Sequence, residues 1–175
     1  LSNPVLTASG TFGYAEEFKE FVDLNELGGI VTKTVTPDPR PGNPPRRIVE
    51  YSTGMLNSIG LPNDGVERFI SEKMPFLQQL KVPVIVNVAG KTEDGFVRIV
   101  ERLNAVHGIA AYELNYSCPN VKEGGLSFSS DPIVAERLTR NVVQQTRRPV
   151  IAKLTPNVTH IHEIGLAVQA GGADA

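Results

Sequence analysis

Short, nearly unbroken apolar runs alternate along this chain with stretches whose apolar positions recur every three or four residues. The unbroken runs predict strands at residues 4–8, 29–35, 84–88, 111–117 and 150–154. Helical spacing falls between them, on Phe18, Phe21 and Val22, on Val66, Phe69 and Ile70, on Phe96, Val100 and Leu103, and on Leu138 and Val142. Start signals accompany the later helices. Asp131 before Pro132 fits an N-cap with proline at the first helical position, and Thr159 fits a cap before Ile161, Ile164 and Val168. Gly171 and Gly172 then close that last helix. Strands alternating with helices predict βα units and a parallel sheet, an α/β fold. One stretch breaks the rhythm. From Thr36 to Ser58 a long connection gathers Pro37, Pro39, Pro41, Pro44 and Pro45 beside Arg40, Arg46 and Arg47, and long ordered loops usually cover or build a site.

Strands buried on both faces should read as apolar throughout, so polar residues within them carry information. Here they sit near the C-terminal ends: Ser9 after the first strand, Lys33 in IVTKTV, Asn87 in VIVNVAG, Asn115 in ELNYSCPN and Lys153 in VIAKLTPN. Taken singly, each reads as a strand-end residue reaching solvent. Five at equivalent places imply a shared polar ligand, because burying an amide or ammonium without a partner is costly. In a β/α barrel that end of the strands is where active sites are built. Two lysines offer positive charge and two asparagines offer both donors and acceptors, a set that suits a planar heterocycle such as a flavin. The turns at Gly10 to Gly13 and at Ala89-Gly90 would let backbone approach such a ring closely.

Composition narrows the partners. The 175 residues are 41% hydrophobic, enough for one domain with a core. With 17 Lys plus Arg against 19 Asp plus Glu, the net charge of -2 lacks the positive field that nucleic acid or anionic lipid selects. The longest apolar runs, such as residues 83–88, fall far short of the roughly 20 residues that span a bilayer. No nucleic-acid or membrane partner is expected, and a cytoplasmic location is. The chain opens on Leu1 and stops at Ala175 where a further strand is due, so it is expected to be incomplete at both ends.

A single cysteine, Cys118, excludes an internal disulfide or a multi-cysteine metal site. A lone cysteine is often a small buried hydrophobe, but one at a strand end is placed to act as a thiolate base. The loop after it runs to Gly124-Gly125, a candidate hinge for a lid. His160, His162 and Glu163 have a spacing that does not share a helix face, so a solvated first turn is expected rather than a metal site. His107 reads as a surface residue. No Gly-x-Gly-x-x-Gly or Walker segment is present.

The segments NPVLTASGTFGY, GGIVTKT, GNPPRRI, GMLNSIGLPN, VIVNVAG, ELNYSCPNVKEGG and KLTPNVT, in this order, resemble the dihydroorotate dehydrogenases. The resemblance implies a (β/α)8 TIM barrel of which this chain supplies about the first five βα units, as one FMN-binding domain over residues 1–175 that is incomplete at its C-terminus. It implies FMN contacts from Ser9, Lys33, Thr34, Asn87, Asn115 and Lys153. It likewise implies substrate contacts from Lys33, Asn57, Ser58, Ile59, Gly60, Leu61, Asn115 and Asn120, with Cys118 as the catalytic base and Lys33 assisting. Dihydroorotate would be oxidised to orotate in pyrimidine biosynthesis. Cysteine rather than serine at 118 resembles the soluble classes, and TASGTFGY with CPNVKEGG resembles the NAD-linked class 1B catalytic subunit. That class implies a homodimer within a heterotetramer whose partner subunit carries FAD and an iron-sulfur cluster. Other readings are a fumarate-linked homodimeric enzyme, an FMN barrel of the dihydrouridine synthase kind, against which the negative net charge argues, and a non-catalytic barrel fragment acting as an assembly module.

Overall fold

The computed structural model describes residues 1–116, 128 and 130–175. Along the chain the strands are β1 (Ile30–Val31), β2 (Ile48–Tyr51), β3 (Gly54–Asn57), β4 (Val84–Val88), β5 (Ala111–Asn115) and β6 (Val150–Lys153). The helices are α1 (Gly65–Arg68), α2 (Met74–Leu77), α3 (Glu93–Asn104), α4 (Pro132–Val143) and α5 (Ile161–Ala170). Strands β1, β4, β5 and β6 form a parallel sheet in that order. Within this sheet the described strands lie side by side in chain order without reversal, as in a barrel wall and unlike a doubly wound sheet with a switch point.

Strands β4, β5 and β6 and helices α3 and α4 lie where the apolar pattern puts them. Thr92 caps α3 by accepting from the Gly95 amide at 3.0 Å. Asp131 caps α4 through the amides of Ile133 at 2.9 Å and Val134 at 3.3 Å, with Pro132 at its first position. Helix α5 departs slightly, since His160 rather than Thr159 stands at its cap and makes no side-chain capping bond. It ends on Gly171 and Gly172, the latter at a φ of 96° that favours glycine.

The N-terminal third differs more. Residues 4–8 form no strand: Leu6 makes an isolated parallel bridge to Gly29, and the Thr7 hydroxyl takes up the ladder groups of Val31 at 2.8 and 3.1 Å. The strand expected over 29–35 is regular only in β1, because the Lys33 amide turns to the Gly13 carbonyl at 2.7 Å before Val35 rejoins the sheet beside Val88. The helix expected around Phe18, Phe21 and Val22 is two short 3-10 turns, Glu16–Phe18 and Leu24–Glu26. Asp23 begins the second by accepting from the Asn25 amide, a local bond that competes with helix continuation, and it leaves Phe21 80% exposed. The next helix runs as α1, a π turn over Phe69–Lys73, and α2. Pro75 near the start of α2 has no amide hydrogen to donate, a cause that accounts for the break in regular bonding there. Inside the proline-rich connection lies an antiparallel hairpin, β2 with β3, all of it exposed and none of it foreseen.

Alternation along the sheet separates two environments. Val86, Val88, Tyr112, Leu114, Tyr116 and Val150 join the core formed with the helices. On the opposite face Val31, Ile85, Ala111 and Ile151 make a small apolar layer. Two residues further along β4, β5 and β6 on that second face come Asn87, Glu113 and Lys153, and Asn115 follows Glu113. The end of β5 is pinned from the core side. The Tyr116 hydroxyl lies 2.7 Å from Thr139 Oγ1, which donates to the Ala135 carbonyl of α4, also at 2.7 Å. Burial pushes the Tyr116 phenol well above its ordinary range, which keeps it a neutral hydrogen-bonding group. Tyr116→Phe in the whole protein is expected to cost about 1 kcal/mol of stability. Tyr116→Ala, which also removes the ring packed against Phe96, is expected to cost about 3–5 kcal/mol. Urea denaturation of both variants beside the parent checks the difference.

Candidate functional site

The polar layer at the strand ends is one connected network. Asn87, fully buried on β4, donates through Nδ2 to Glu113 Oε1 at 2.5 Å. Register aids this, since Asn87 and Glu113 are paired across β4 and β5. Asn115 Nδ2 reaches Thr34 Oγ1 at 3.1 Å and Asn87 Oδ1 at 3.4 Å. Lys153, paired with Asn115 across β5 and β6, lies with its Nζ 3.7 Å from Glu113 Oε1 and donates to Ser9 Oγ. The Asn87 backbone N–H donates to Thr32 Oγ1 at 3.2 Å. Thus Ser9, Thr34, Asn87, Asn115 and Lys153, five of the expected residues, are brought together.

Lys33 shares the strand end but stands apart chemically. It is half-buried, and among the described residues its ammonium has no hydrogen-bond or ion-pair partner. A lysine at the same strand ends as this amide-rich layer suits an anionic or electron-accepting ligand. The donor set fits a flavin ring on its chemistry: amides offer donors and acceptors in one plane, and ammonium groups favour negative charge on a reduced ring.

The expected substrate segment is ordered by a different set of bonds. Asn57 ends β3 opposite Ile48 and is exposed. Asn43 Nδ2 donates to Ser58 Oγ at 2.7 Å, and the Asn43 amide donates to the Ile59 carbonyl at 3.1 Å. Gly60 has a φ of 82°, and a Cβ there would fall 2.6 Å from the Asn43 nitrogen. Leu61 also takes a positive φ, 54°, which is costly for a leucine and is held by Asn63 Nδ2 donating to its carbonyl at 3.0 Å. Asn63 in turn donates to Thr36 Oγ1 at 2.9 Å and accepts from the Gly65 amide at 2.9 Å. No hydrogen bond among the described residues joins residues 57–61 to the Asn87 and Glu113 network. Cys118, Asn120 and the Gly124 and Gly125 pair lie outside the described residues.

Two glycine expectations separate. Gly10, at φ 87°, leaves open space where a side chain would stand. Gly90 instead permits contact with its own helix, since a Cβ there would lie 2.7 Å from the Phe96 amide of α3. His107 is exposed, and so are His160, His162 and Glu163, with His162 Nε2 4.0 Å from the Glu163 carboxylate. Among the described residues no group of three or more His, Cys, Asp or Glu is placed to hold a metal, and no helix is long and apolar enough to cross a membrane.

Sequence reasoning missed Glu113 and Asn63. Glu113 carried a signal: it precedes Asn115 by two in a strand, so both side chains share a face. Asn63 carried none, because an asparagine after a proline reads as an ordinary turn.

Known proteins match this sequence over nearly its whole length. A catalytic subunit of dihydroorotate dehydrogenase B (NAD(+)) from Desulforudis audaxviator is 53% identical over 175 residues, all of this chain and 57% of that protein. One of the same name from Listeria innocua is 50% identical over 174 residues, 99% of this chain and 57% of its own length. Another from Desulforamulus reducens is 51% identical over 172 residues, 98% of this chain. The chain therefore spans somewhat over half the length of these relatives. The family model described as dihydroorotate dehydrogenase matches residues 1–175, and the chain belongs to that family, whose fold is the TIM barrel.

Proposed function

We propose that the protein containing this chain oxidises dihydroorotate to orotate on a bound FMN and passes the electrons to NAD through a partner subunit. The observation that carries this reading is the continuous polar layer of Ser9, Thr34, Asn87, Asn115 and Lys153 in a chain that matches the family from end to end. Relatives named as NAD(+) catalytic subunits support the acceptor and the need for another subunit. We assign that partner FAD and an iron-sulfur cluster, which the resemblance to the NAD-linked class implies. A homodimer within a cytoplasmic heterotetramer completes the proposal.

Bound FMN supplies a two-electron acceptor. The chain's own residues do the rest. Asn87 and Asn115 would hold the ring through their side-chain amides, while Thr34 and Ser9 hold Asn115 and Lys153 in place. Lys153 and Lys33 favour the added negative charge. Lys33 also meets the substrate with Asn115, Asn120 and the segment Asn57, Ser58, Ile59, Gly60 and Leu61. The tight Asn43 and Asn63 bonds give that segment a fixed shape, so little ordering entropy remains to be lost on binding. Cys118, as thiolate, takes the C5 proton while the C6 hydrogen leaves with its electron pair.

Two tests follow from this assignment, both on the full-length protein. In anaerobic rapid mixing, Cys118→Ala is expected to keep its flavin but to be reduced by dihydroorotate about a hundredfold or more slowly, as for loss of a general base. Reduction at the parent rate would remove Cys118 from that role. The isolated catalytic subunit is expected to reduce an artificial dye but not NAD until the partner is added. Rapid NAD reduction alone would refute the partner, and efficient turnover with fumarate would assign the protein to the fumarate-linked class.

A further inference from the structure

Glu113 is a carboxylate in the middle of a parallel strand, its side chain only 12% exposed. The layer beneath it, Val31, Ile85, Ala111 and Ile151, is apolar, and an apolar residue at 113 would extend that layer at no electrostatic cost. A carboxylate is also the wrong charge to set beside a ring that becomes negative on reduction. Its contacts show what it achieves. By accepting from Asn87 Nδ2 it fixes which way that amide points, turning Oδ1 toward Asn115 Nδ2. It also lies 3.7 Å from the Lys153 ammonium, whose other contact among the described residues is the neutral Ser9 hydroxyl. Lys33 is left without a counter-charge among the described residues.

We propose that Glu113 is a positioning residue that holds down the reduction potential of the bound flavin, by offsetting the charge of Lys153 and by orienting the Asn87 amide. The inference rests on the flavin reading above. Lys153 draws electrons onto the ring, and Glu113 opposes it through the same 3.7 Å contact. The balance leaves a reduced flavin willing to give its electrons to a further acceptor. Removing Glu113 altogether would act differently, because Asn87 would then lose the partner that sets its orientation.

The experiment measures midpoint potential and FMN dissociation constant on the full-length holoprotein. Glu113→Gln keeps an oxygen to accept from Asn87 and removes the charge. It is expected to bind FMN within a fewfold of the parent and to favour the reduced state about tenfold more, a rise of ~30 mV for a two-electron couple. Glu113→Asp keeps the charge but withdraws it by one methylene, and is expected to raise the potential by a smaller amount. Glu113→Ala is expected to weaken FMN binding about tenfold. An unchanged or lowered potential in the Gln or Asp variant overturns the inference while leaving the flavin reading intact. A parent protein that binds no FMN overturns the flavin reading itself.

Discussion

A polar side chain on the inner face of this sheet must find its partner within the sheet, since the layer below is apolar and the strands are buried on both faces. Asn87, Glu113, Asn115 and Lys153 meet that demand with one another and with Thr34 and Ser9. Among the described residues no buried side-chain nitrogen or oxygen is left without a partner. The arrangement is therefore stable as it stands, with its hydrogen-bonding groups already aimed. That is preorganisation: a ligand meeting this layer would not have to order it.

The rest of the molecule serves to hold the layer's geometry. Parallel register sets Asn87 opposite Glu113 and Asn115 opposite Lys153, so a slip by one residue would send all four into the helix-side core. Capped helices α3 and α4 hold that core from outside, and the Tyr116, Thr139 and Ala135 bonds tie the end of β5 to α4. Asn63 does the equivalent work for the loop beyond β3, joining Leu61, Gly65 and Thr36 through one amide. Structural and chemical roles are thus divided between neighbouring residues in the same strands.

Much of this was legible in the sequence where a single period dominated. Strands β4 and β6 announce themselves as apolar runs with one polar residue near the end, β5 by a run that carries Glu113 and Asn115, and α3 and α4 by caps and spacing. Legibility failed where side chains replaced backbone ladders. Thr7 satisfies Val31 in place of a paired strand, and Asp23 diverts a helix into a turn. The β2 and β3 hairpin was hidden among prolines, and its exposed faces follow neither the alternation nor the burial that mark a strand. Within the site, the lysines and asparagines stood out because they interrupt apolar runs. Glu113 was passed over because its meaning depends on Asn87 and Lys153, which lie 26 residues before it and one strand after it.

Everything proposed for this chain depends on its polar layer being a seat for a flavin ring. The decisive measurement is a crystal structure of the full-length protein with FMN. Ring density is expected over the strand ends, within hydrogen-bond distance of Asn87, Asn115 and Lys153 and with Lys33 turned toward it. FMN seated elsewhere, with the strand-end network unchanged and untouched, would show that the layer is not the flavin's seat.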